Sequence, residues 1–306
     1  MASKPRQMKR PGLLLAGLFF VNLAAASAQQ LEPRAYTPLP INLSFVGLPY
    51  VYQTGSMVTD PTTPIQDVDA KINALAAIYI RTFDFMGRSA SAGLALPYVW
   101  GTISGDVFEQ ARTITRSGQG DLQLRLMSNI FGGPALTGPE LARAPLKTTL
   151  GATLVVSMPT GQYDGAKLIN IGTNRWAFKP ELGLAQPVGK WTFELYTGVW
   201  FFTANDDFLG GNRRTQDPIL ALQGHIIYTF CPGLWLAVDG TWYSGGQTEV
   251  NGVFDADRQK NTRIGTTLAV PLGHGHAVKL AWAKGATTRI GQNFTTYGLT
   301  YQFRWF

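Results

Sequence analysis

The chain has 306 residues, of which 15% are charged and 12% are aromatic, and it contains 34 glycines. This charge content is low for a surface that faces water and is typical of strands that face lipid. The formal net charge of +7 would suit a nucleic-acid partner, but no run of Lys and Arg occurs after residue 28, so that class is excluded.

The first 28 residues have the features of a secretory signal peptide. They hold four of the 26 basic residues and none of the 19 acidic ones. Residues 12–26 are largely apolar, and Ala26-Ser27-Ala28 is a small-residue cleavage site. An uncleaved anchor helix is the alternative, but the apolar run is shorter than the ~20 residues that span a bilayer. We therefore expect a mature chain of residues 29–306, which keeps 22 basic and 19 acidic residues.

Beyond the signal peptide, apolar and polar residues alternate over twelve segments, and no stretch of 18 apolar residues occurs. The predicted strands are residues 41–53, 70–83, 89–102, 121–129, 148–158, 175–186, 190–203, 218–230, 234–245, 262–272, 276–286 and 293–306. All twelve exceed the ~5 to 6 residues usual in soluble sheets and suit tilted membrane strands. The predicted fold is all-β, a single transmembrane antiparallel β-barrel of about 12 strands spanning residues 29–306.

The connections between these strands alternate between long and short. The long polar ones are residues 54–69, 103–120, 159–174, 204–217 and 246–261, and the short ones are residues 84–88, 187–189, 231–233 and 273–275. This asymmetry predicts short periplasmic turns and long extracellular loops, with both chain ends in the periplasm. Residues 130–147 are a long connection on the short side. There, the spacing of Thr137 and Glu140 predicts one helical turn.

The polar parity of the strands predicts the wall of a water-filled lumen of mixed charge. Its predicted pore-lining residues are Arg81, Arg125, Lys179, Glu181, Glu194, Tyr196, Trp200, His225, Asp239, Tyr243, Arg263, Lys279 and Arg304. Lys or Arg facing lipid near the midplane would cost about 2–4 kcal/mol, so these faces should point inward. A soluble sandwich or lipocalin-like barrel with the opposite partition is the alternative.

The last ten residues, YGLTYQFRWF (297–306), end the chain on a strand with one apolar face. Tyr297, Leu299 and Trp305 share that face with two further aromatic residues, and Phe306 is the final residue. Resemblance to bacterial outer-membrane proteins implies that this C-terminal strand is recognised by the outer-membrane assembly machinery. In those proteins the terminal Phe usually keeps the parity of the preceding aromatics, whereas Phe306 is one residue out of phase.

Two longer stretches carry a family resemblance. They are LEPRAYTPLPINLSFVGLPYVYQTGSM (31–57) and PTGQYDGAKLINIGTNRWAFKPELGLAQPVGKWTFELYTGVWFFTANDDFLGGNRRTQDP (159–218). The chain resembles a bacterial family of transporters of the meta-pathway of phenol degradation. That resemblance implies a barrel in the bacterial outer membrane, surrounded by outer-membrane lipid, that passes small, often aromatic or hydrophobic, solutes.

Within the second stretch, polar residues lie where an outer loop re-enters a strand. Asn170, Gly172, Asn174, Arg175 and Trp176 are interpreted as a loop constriction, in which the loop folds into the mouth of the barrel. The alternative is that these residues close the loop and pair internally for stability.

Other classes of function have less support in the residues. His225 faces the predicted lumen with Asp239 on the next strand, so a barrel hydrolase is an alternative, but no Ser lies beside them. A metal site could be drawn from Asp206, Asp207 and Asp217, although such loop acids are more often solvated. A third possibility is a structural or adhesion barrel whose lumen is plugged. The favoured prediction is a passive or facilitated channel, not an enzyme, without a cofactor.

Overall fold

The computed structural model describes residues 31–58, 65–107 and 110–306, so the predicted signal peptide lies outside the described residues. Its elements in chain order are β1 (Ser44–Val58), β2 (Ile65–Phe85), β3 (Arg88–Val107), β4 (Gln110–Gln119), β5 (Leu122–Phe131), α1 (Gly138–Arg143), β6 (Thr149–Met158), β7 (Ala177–Val188), β8 (Trp191–Phe202), β9 (Asn205–Phe208), β10 (Asn212–Gln216), β11 (Ile219–Cys231), β12 (Leu234–Gly245), β13 (Thr248–Val250), β14 (Val253–Phe254), β15 (Gln259–Gly273), β16 (His276–Thr288) and β17 (Gly291–Trp305). No helix in the described ranges is both long and apolar enough to cross a membrane.

Antiparallel pairing closes the wall into a barrel. β1 pairs with β17 from Ser44↔Trp305 to Val58↔Gly291 and pairs with β2 on its other edge. β4 and β5 both pair with β3 and are two halves of one wall strand. With β4 and β5 counted once, twelve strands form the wall, which confirms the predicted fold class. β9, β10, β13 and β14 form a separate four-stranded sheet.

The two ends of the barrel differ in their connections. Tight turns such as Met86-Gly87 and His274-Gly275 contain residues with positive φ and lie at one end, called here the turn end. The four-stranded sheet and the connection of residues 159–176 lie at the other, called here the loop end. The predicted asymmetry between the two ends is therefore present, with two exceptions: the long connection of residues 132–148 at the turn end and the two residues that join β16 to β17 at the loop end.

The wall is apolar outside and polar inside. On β7, the residues Lys179 and Glu181 are each 4% exposed, whereas Leu182 is 49% and Leu184 is 42% exposed. The same alternation places Leu222 outside and Gln223 inside on β11. This partition is the reverse of a soluble sandwich and matches the predicted one.

Strand β2 shows the height of the apolar belt. Its outward face carries Lys71 toward the loop end, then Leu75 and Tyr79, and then Arg81 toward the turn end. Ten residues at about 3.3 Å each, tilted by roughly 40°, span about 25 Å of height. The two outward charges therefore mark the borders of a hydrocarbon-facing band of the expected thickness.

Some predicted loops are wrong in part, because strands continue beyond this belt. Residues 103–120 form a paired extension in which β3 and β4 run in register from Tyr98↔Gln119 to Val107↔Gln110. Residues 204–217 and 246–261 contain β9, β10, β13 and β14. In the predicted loop of residues 54–69, residues 54–58 belong to β1 and residues 65–69 belong to β2. Outside the hydrocarbon both faces of a strand can contact water, so these extensions lack the alternation that identifies the wall.

The predicted helical turn in residues 130–147 is confirmed as α1. The Glu140 carboxylate accepts hydrogen bonds from the Thr137 backbone N–H at 2.8 Å and from its hydroxyl at 2.7 Å. Gly138 faces the ring of the terminal Phe306, whose Cζ would lie 2.9 Å from an added Cβ. The Ile41 N–H donates to the Leu136 carbonyl at 2.9 Å. The segment with α1 therefore contacts both the C-terminal residue, Phe306, and the chain just before β1, at Ile41.

Candidate functional site

Residues 31–43, called here the N-terminal segment, enter the lumen from the turn end. The hydroxyl of Ser89, beside the β2–β3 turn, donates to the Leu39 carbonyl at 2.7 Å. Three residues earlier, Tyr36 is 0% exposed in the barrel interior. Its hydroxyl donates to Glu181 Oε1 on β7 at 3.0 Å. The centre of the lumen is therefore occupied by the chain itself.

Two glycines of the wall make room for the Tyr36 ring. Gly151 on β6 and Gly183 on β7 are directly paired. A Cβ at Gly151 would lie 2.4 Å from a ring carbon of Tyr36, and one at Gly183 would lie 1.9 Å away. Any larger residue at Gly183 would therefore exclude the ring from its position.

Charged contacts join the N-terminal segment to opposite parts of the wall. Glu32 forms an ion pair with Arg125 on β5. The Arg34 backbone N–H donates to Glu194 Oε2 on β8 at 2.8 Å. The Arg34 guanidinium lies 5.1 Å from the centre of the Trp235 ring on β12. The segment is therefore held mainly by ionic, hydrogen-bonding and cation–aromatic contacts.

The lumen wall behind this segment also carries paired charges. Lys179 Nζ lies 2.9 Å from Glu181 Oε2, and both side chains are almost fully buried. Tyr196 donates its hydroxyl to Glu194 and accepts the Ala35 N–H at 3.2 Å. The predicted mixed-sign interior is thus present, but much of it is neutralised pairwise.

His225 and Asp239 form a buried pair within this wall. His225 Nδ1 lies 2.7 Å from Asp239 Oδ1, and the Thr267 hydroxyl donates to Asp239 Oδ2 at 2.9 Å. A carboxylate in this position fixes the orientation of an imidazole, as it does for a general base. The other ring nitrogen, Nε2, is buried and has no hydrogen-bond partner in the described part of the chain. In the ranges that the structure describes, no hydroxyl or thiol is therefore hydrogen-bonded to this nitrogen.

The remaining predicted pore-lining residues contact other residues of the barrel wall. Trp200 and Tyr243 belong to a buried cluster near the loop end. Arg263 donates to the Phe294 carbonyl at 3.1 Å and to the Thr296 hydroxyl at 2.8 Å. Nearer the turn end, Lys279 lies 5.7 Å from the centre of the Trp235 ring. These side chains face inward as predicted.

The connection of residues 159–176 folds into the mouth of the barrel. Ile169 and Ile171 are 7% and 3% exposed and pack with residues on the inner faces of β1, β2, β3 and β17. The carboxylate of Asp121, between β4 and β5, accepts the Gly161 N–H at 2.8 Å and the Thr173 N–H at 3.0 Å. The fold therefore agrees with the interpretation of an inward loop.

The predicted constriction residues have separate roles in this loop. Asn170 bonds within it, accepting the Asp164 N–H at 2.9 Å, and Gly172 packs so closely on Gly161 that a Cβ would lie 2.6 Å from its backbone. Asn174 donates to Asn205 Oδ1 on β9 at 2.8 Å. These three residues therefore close and order the loop, which was the alternative interpretation.

Arg175 faces the mouth from the end of this loop. Its guanidinium lies 4.4 Å from the centre of the Phe202 ring and donates to the Gln216 side chain. Burial, followed by the nearby charge of Arg214, lowers the pKa of Arg175 to about 9. Burial likewise lowers the pKa of Arg214 to about 10, against the opposing effect of Asp257 and a second loop carboxylate. Both groups remain protonated at neutral pH.

Three predicted site residues do not lie in the lumen. Arg81 shares the outward parity of Tyr79 and donates to Ser44 Oγ at 2.7 Å, so its pore-lining assignment is wrong. β2 is apolar on both faces, so its alternation is a weak guide. Trp176 is 42% exposed and stacks outside on Phe178, so it is not part of a constriction. Arg304 keeps the inward parity but is exposed at the turn end.

The N-terminal segment is the functional feature that the strand pattern missed. Residues 31–40 contain three prolines and lack alternation, so they predict no wall strand. The charges of Glu32 and Arg34, just after a predicted cleavage site, were the available signal. A proline-rich, charged segment that precedes a barrel with a polar lumen is a candidate to lie inside that lumen.

The loop acids give no metal centre. Asp206 pairs with Arg213 at 3.1 Å with both side chains exposed. In the ranges that the structure describes, no group of three or more His, Cys, Asp or Glu side chains could hold a metal ion.

Comparisons with known proteins agree with this architecture. An outer membrane channel from Pseudomonas putida F1 has 22% identity and a TM-score of 0.77, covering 90% of this chain and 100% of that chain. The transport unit of the autotransporter AIDA-I from Escherichia coli has 8% identity and a TM-score of 0.55, with coverages of 92% and 96%. The translocator domain of the autotransporter NalP from Neisseria meningitidis has 10% identity and a TM-score of 0.51, with coverages of 93% and 96%. At these identities the likenesses concern the fold.

No curated protein matches the chain. A family model described as "Putative MetA-pathway of phenol degradation" matches residues 51–304. Because this match covers well over half of the sequence, the chain belongs to that family.

Proposed function

We propose that the protein is a channel of the bacterial outer membrane for small solutes of apolar or aromatic character. The observation that carries this proposal is the partition of the wall, which is apolar outside and encloses a polar, charge-paired lumen. A closed barrel satisfies every wall backbone group without an edge, so it can cross a bilayer.

The solute class is supported by the rings that line the interior. Tyr196, Trp200 and Tyr243 lie on the inner faces of β8 and β12, where neighbouring side chains and, at Tyr196, the N-terminal segment cover them. Aromatic rings offer contact to apolar or aromatic solutes. The family is described by a pathway of phenol degradation, and the similar Pseudomonas putida protein is an outer membrane channel.

In this proposal the loop end is extracellular and the turn end periplasmic, as in other barrels with short periplasmic turns. The lipid of the outer membrane surrounds the belt. The C-terminal strand, whose Phe306 is 72% exposed at the turn end, would be the element that the assembly machinery recognises.

Passage requires the N-terminal segment to shift, because residues 32–36 fill the middle of the lumen. The contacts that hold it are suited to reversible release. Both side chains of the Glu32–Arg125 pair are about a quarter exposed, so water can reach the two charges when the pair opens. The large buried contribution is the Tyr36 ring between Gly151 and Gly183.

The experiment compares the full mature protein with a variant that lacks residues 31–37, in planar bilayers and in liposomes loaded for solute uptake. We expect discrete conductance steps in both proteins, with larger steps or more open time after the deletion, and entry of a neutral aromatic probe. Silence of the deletion variant at all voltages, together with no solute entry, would contradict a channel and favour the plugged structural barrel.

A further inference from the structure

Cationic groups and aromatic rings alternate on the inner wall of the mouth, along β7 and β8. Arg175 lies 4.4 Å from the centre of the Phe202 ring. Phe202 stacks on Trp200 with centroids 6.4 Å apart and planes inclined by 9°. Lys179 Nζ lies 5.5 Å from the centre of the Trp200 ring. The four side chains therefore lead from the outer loop to the paired charges of the lumen.

The two cations of this series differ in how their charge is balanced. Lys179 is paired with Glu181 at 2.9 Å. Arg175 is 6% exposed and contacts an amide and a ring, and no carboxylate in the described ranges lies at ion-pair distance from it. Its Nη1 is buried and has no hydrogen-bond partner there either. A buried guanidinium with a spare donor is costly unless an anion meets it.

The space beside Arg175 is a small cavity that opens at the mouth. Its volume is about 10 Å³, and its lining includes Tyr163, Asn170, Thr173, Arg175 and Arg214, together with the apolar Leu168 and Phe208. Such a volume accepts about one water-sized group. One oxygen of an oxyanion fits there, while the rest of the molecule must lie outside the cavity.

A second positive charge strengthens the attraction for an anion. The charge of Arg214 is among the causes that lower the pKa of Arg175, so the two guanidinium groups repel each other across the cavity. Asp255 and Asp257 act on Arg214 in the opposite sense. Asp121 acts on Arg175 in the same sense, but its effect is smaller than those of burial and of Arg214. Arg175 therefore keeps a net gain from an entering negative charge.

We propose that the mouth binds an aromatic carboxylate, with one carboxylate oxygen on Arg175 in this cavity and its ring against Leu168 and Phe208, the apolar part of the cavity lining. The proposal rests on the channel function and names a solute class for it. A carboxylate supplies the acceptor that Nη1 lacks and brings a negative charge to ion-pair distance of the guanidinium. A neutral phenolic solute would bring no such charge.

The test measures binding by calorimetry to the full mature protein in detergent, with sodium benzoate, sodium acetate and benzyl alcohol as probes. We expect benzoate to bind at least tenfold more tightly than acetate or benzyl alcohol. Arg175→Gln should weaken benzoate binding at least tenfold, and Phe208→Leu should weaken benzoate binding while leaving acetate binding unchanged. Arg213→Gln is the matched control, because Arg213 lies beside Arg214 but is 69% exposed.

Equal benzoate binding by the wild type and Arg175→Gln would overturn the proposal, as would benzoate binding no tighter than acetate. Heat-modifiable migration on gels verifies that each variant is folded. If Arg175→Gln does not fold, Arg175→Lys decides: it keeps the charge but loses the planar fork, and unchanged benzoate affinity would contradict the assignment. Binding needs no open pore, so failure here with intact uptake of benzyl alcohol would leave the channel function standing.

Discussion

The substitution Gly183→Ala should release the N-terminal segment from the lumen. An alanine Cβ at this position would lie 1.9, 2.1 and 2.6 Å from three carbons of the Tyr36 ring, and no atom of another residue is among these three nearest contacts. Separations below 3 Å between carbon atoms are not tolerated, and a ring enclosed on all sides cannot move aside. The ring must therefore leave its site.

The magnitude follows from what the displaced ring loses. Tyr36 is 0% exposed, contacts Tyr196 edge-on at 4.8 Å, and donates a hydrogen bond to Glu181. Loss of a large buried aromatic side chain costs about 3–5 kcal/mol. Taking the lower end, about 3 kcal/mol, the equilibrium between bound and released segment shifts by roughly 100-fold, since 1.4 kcal/mol is a factor of ten.

The assay is single-channel recording, with open probability as the readout. Gly240→Ala is the matched control, because it makes the same change in the same wall at a position where a Cβ would meet nothing within 4 Å. We expect Gly183→Ala to raise the open probability strongly and Gly240→Ala to leave it unchanged. A double-mutant cycle with Tyr36→Ala tests the mechanism, because without the ring Gly183→Ala should have little further effect. An equal increase in the Tyr36→Ala background would refute the reasoning.

Three further outcomes are expected. Lys179→Met should destabilise the folded barrel by about 3–5 kcal/mol in denaturant titrations, because it leaves the buried Glu181 carboxylate without its ion-pair partner. The double variant Lys179→Met/Glu181→Leu should recover much of this loss. Equal losses in the two variants would argue against a desolvated pair. Leu222→Arg, on the lipid side, should lower the free energy of folding into liposomes by about 2–4 kcal/mol. Val253→Arg, in the separate sheet at the loop end, should lower it by less than about 1 kcal/mol. Similar losses for the two variants would contradict the membrane belt. Ester hydrolysis by the purified protein should not differ between the wild type and His225→Ala, because no hydroxyl or thiol of the described ranges is hydrogen-bonded to Nε2; a His225-dependent rate would restore the hydrolase alternative.

The sequence by itself determined the wall of this barrel. Alternation of apolar and polar residues has a period of two, and a membrane strand must keep that period across the whole belt, so Lys179 and Glu181 could be separated from Leu182 and Leu184 without coordinates. The number of strands and the alternation of long and short connections followed from the same local signal. The one-turn helix after Thr137 followed from local capping chemistry.

Only the tertiary structure decided what fills the lumen. Glu32, Arg34 and Tyr36 meet partners 93 to 160 residues away, and nothing in their own neighbourhood identifies Arg125, Glu194 or Glu181. The same holds for Arg175, whose side-chain contacts come from β8 and β10 rather than from its own loop. Arg81 is a second case. Because β2 is apolar on both faces, its sequence does not show which face points outward, and only its pairing with β1 and β3 places Arg81 on the outer face. Contacts between distant segments leave no periodic pattern in the sequence, unlike the alternation of a strand. These groups can therefore be identified as partners only in the folded chain.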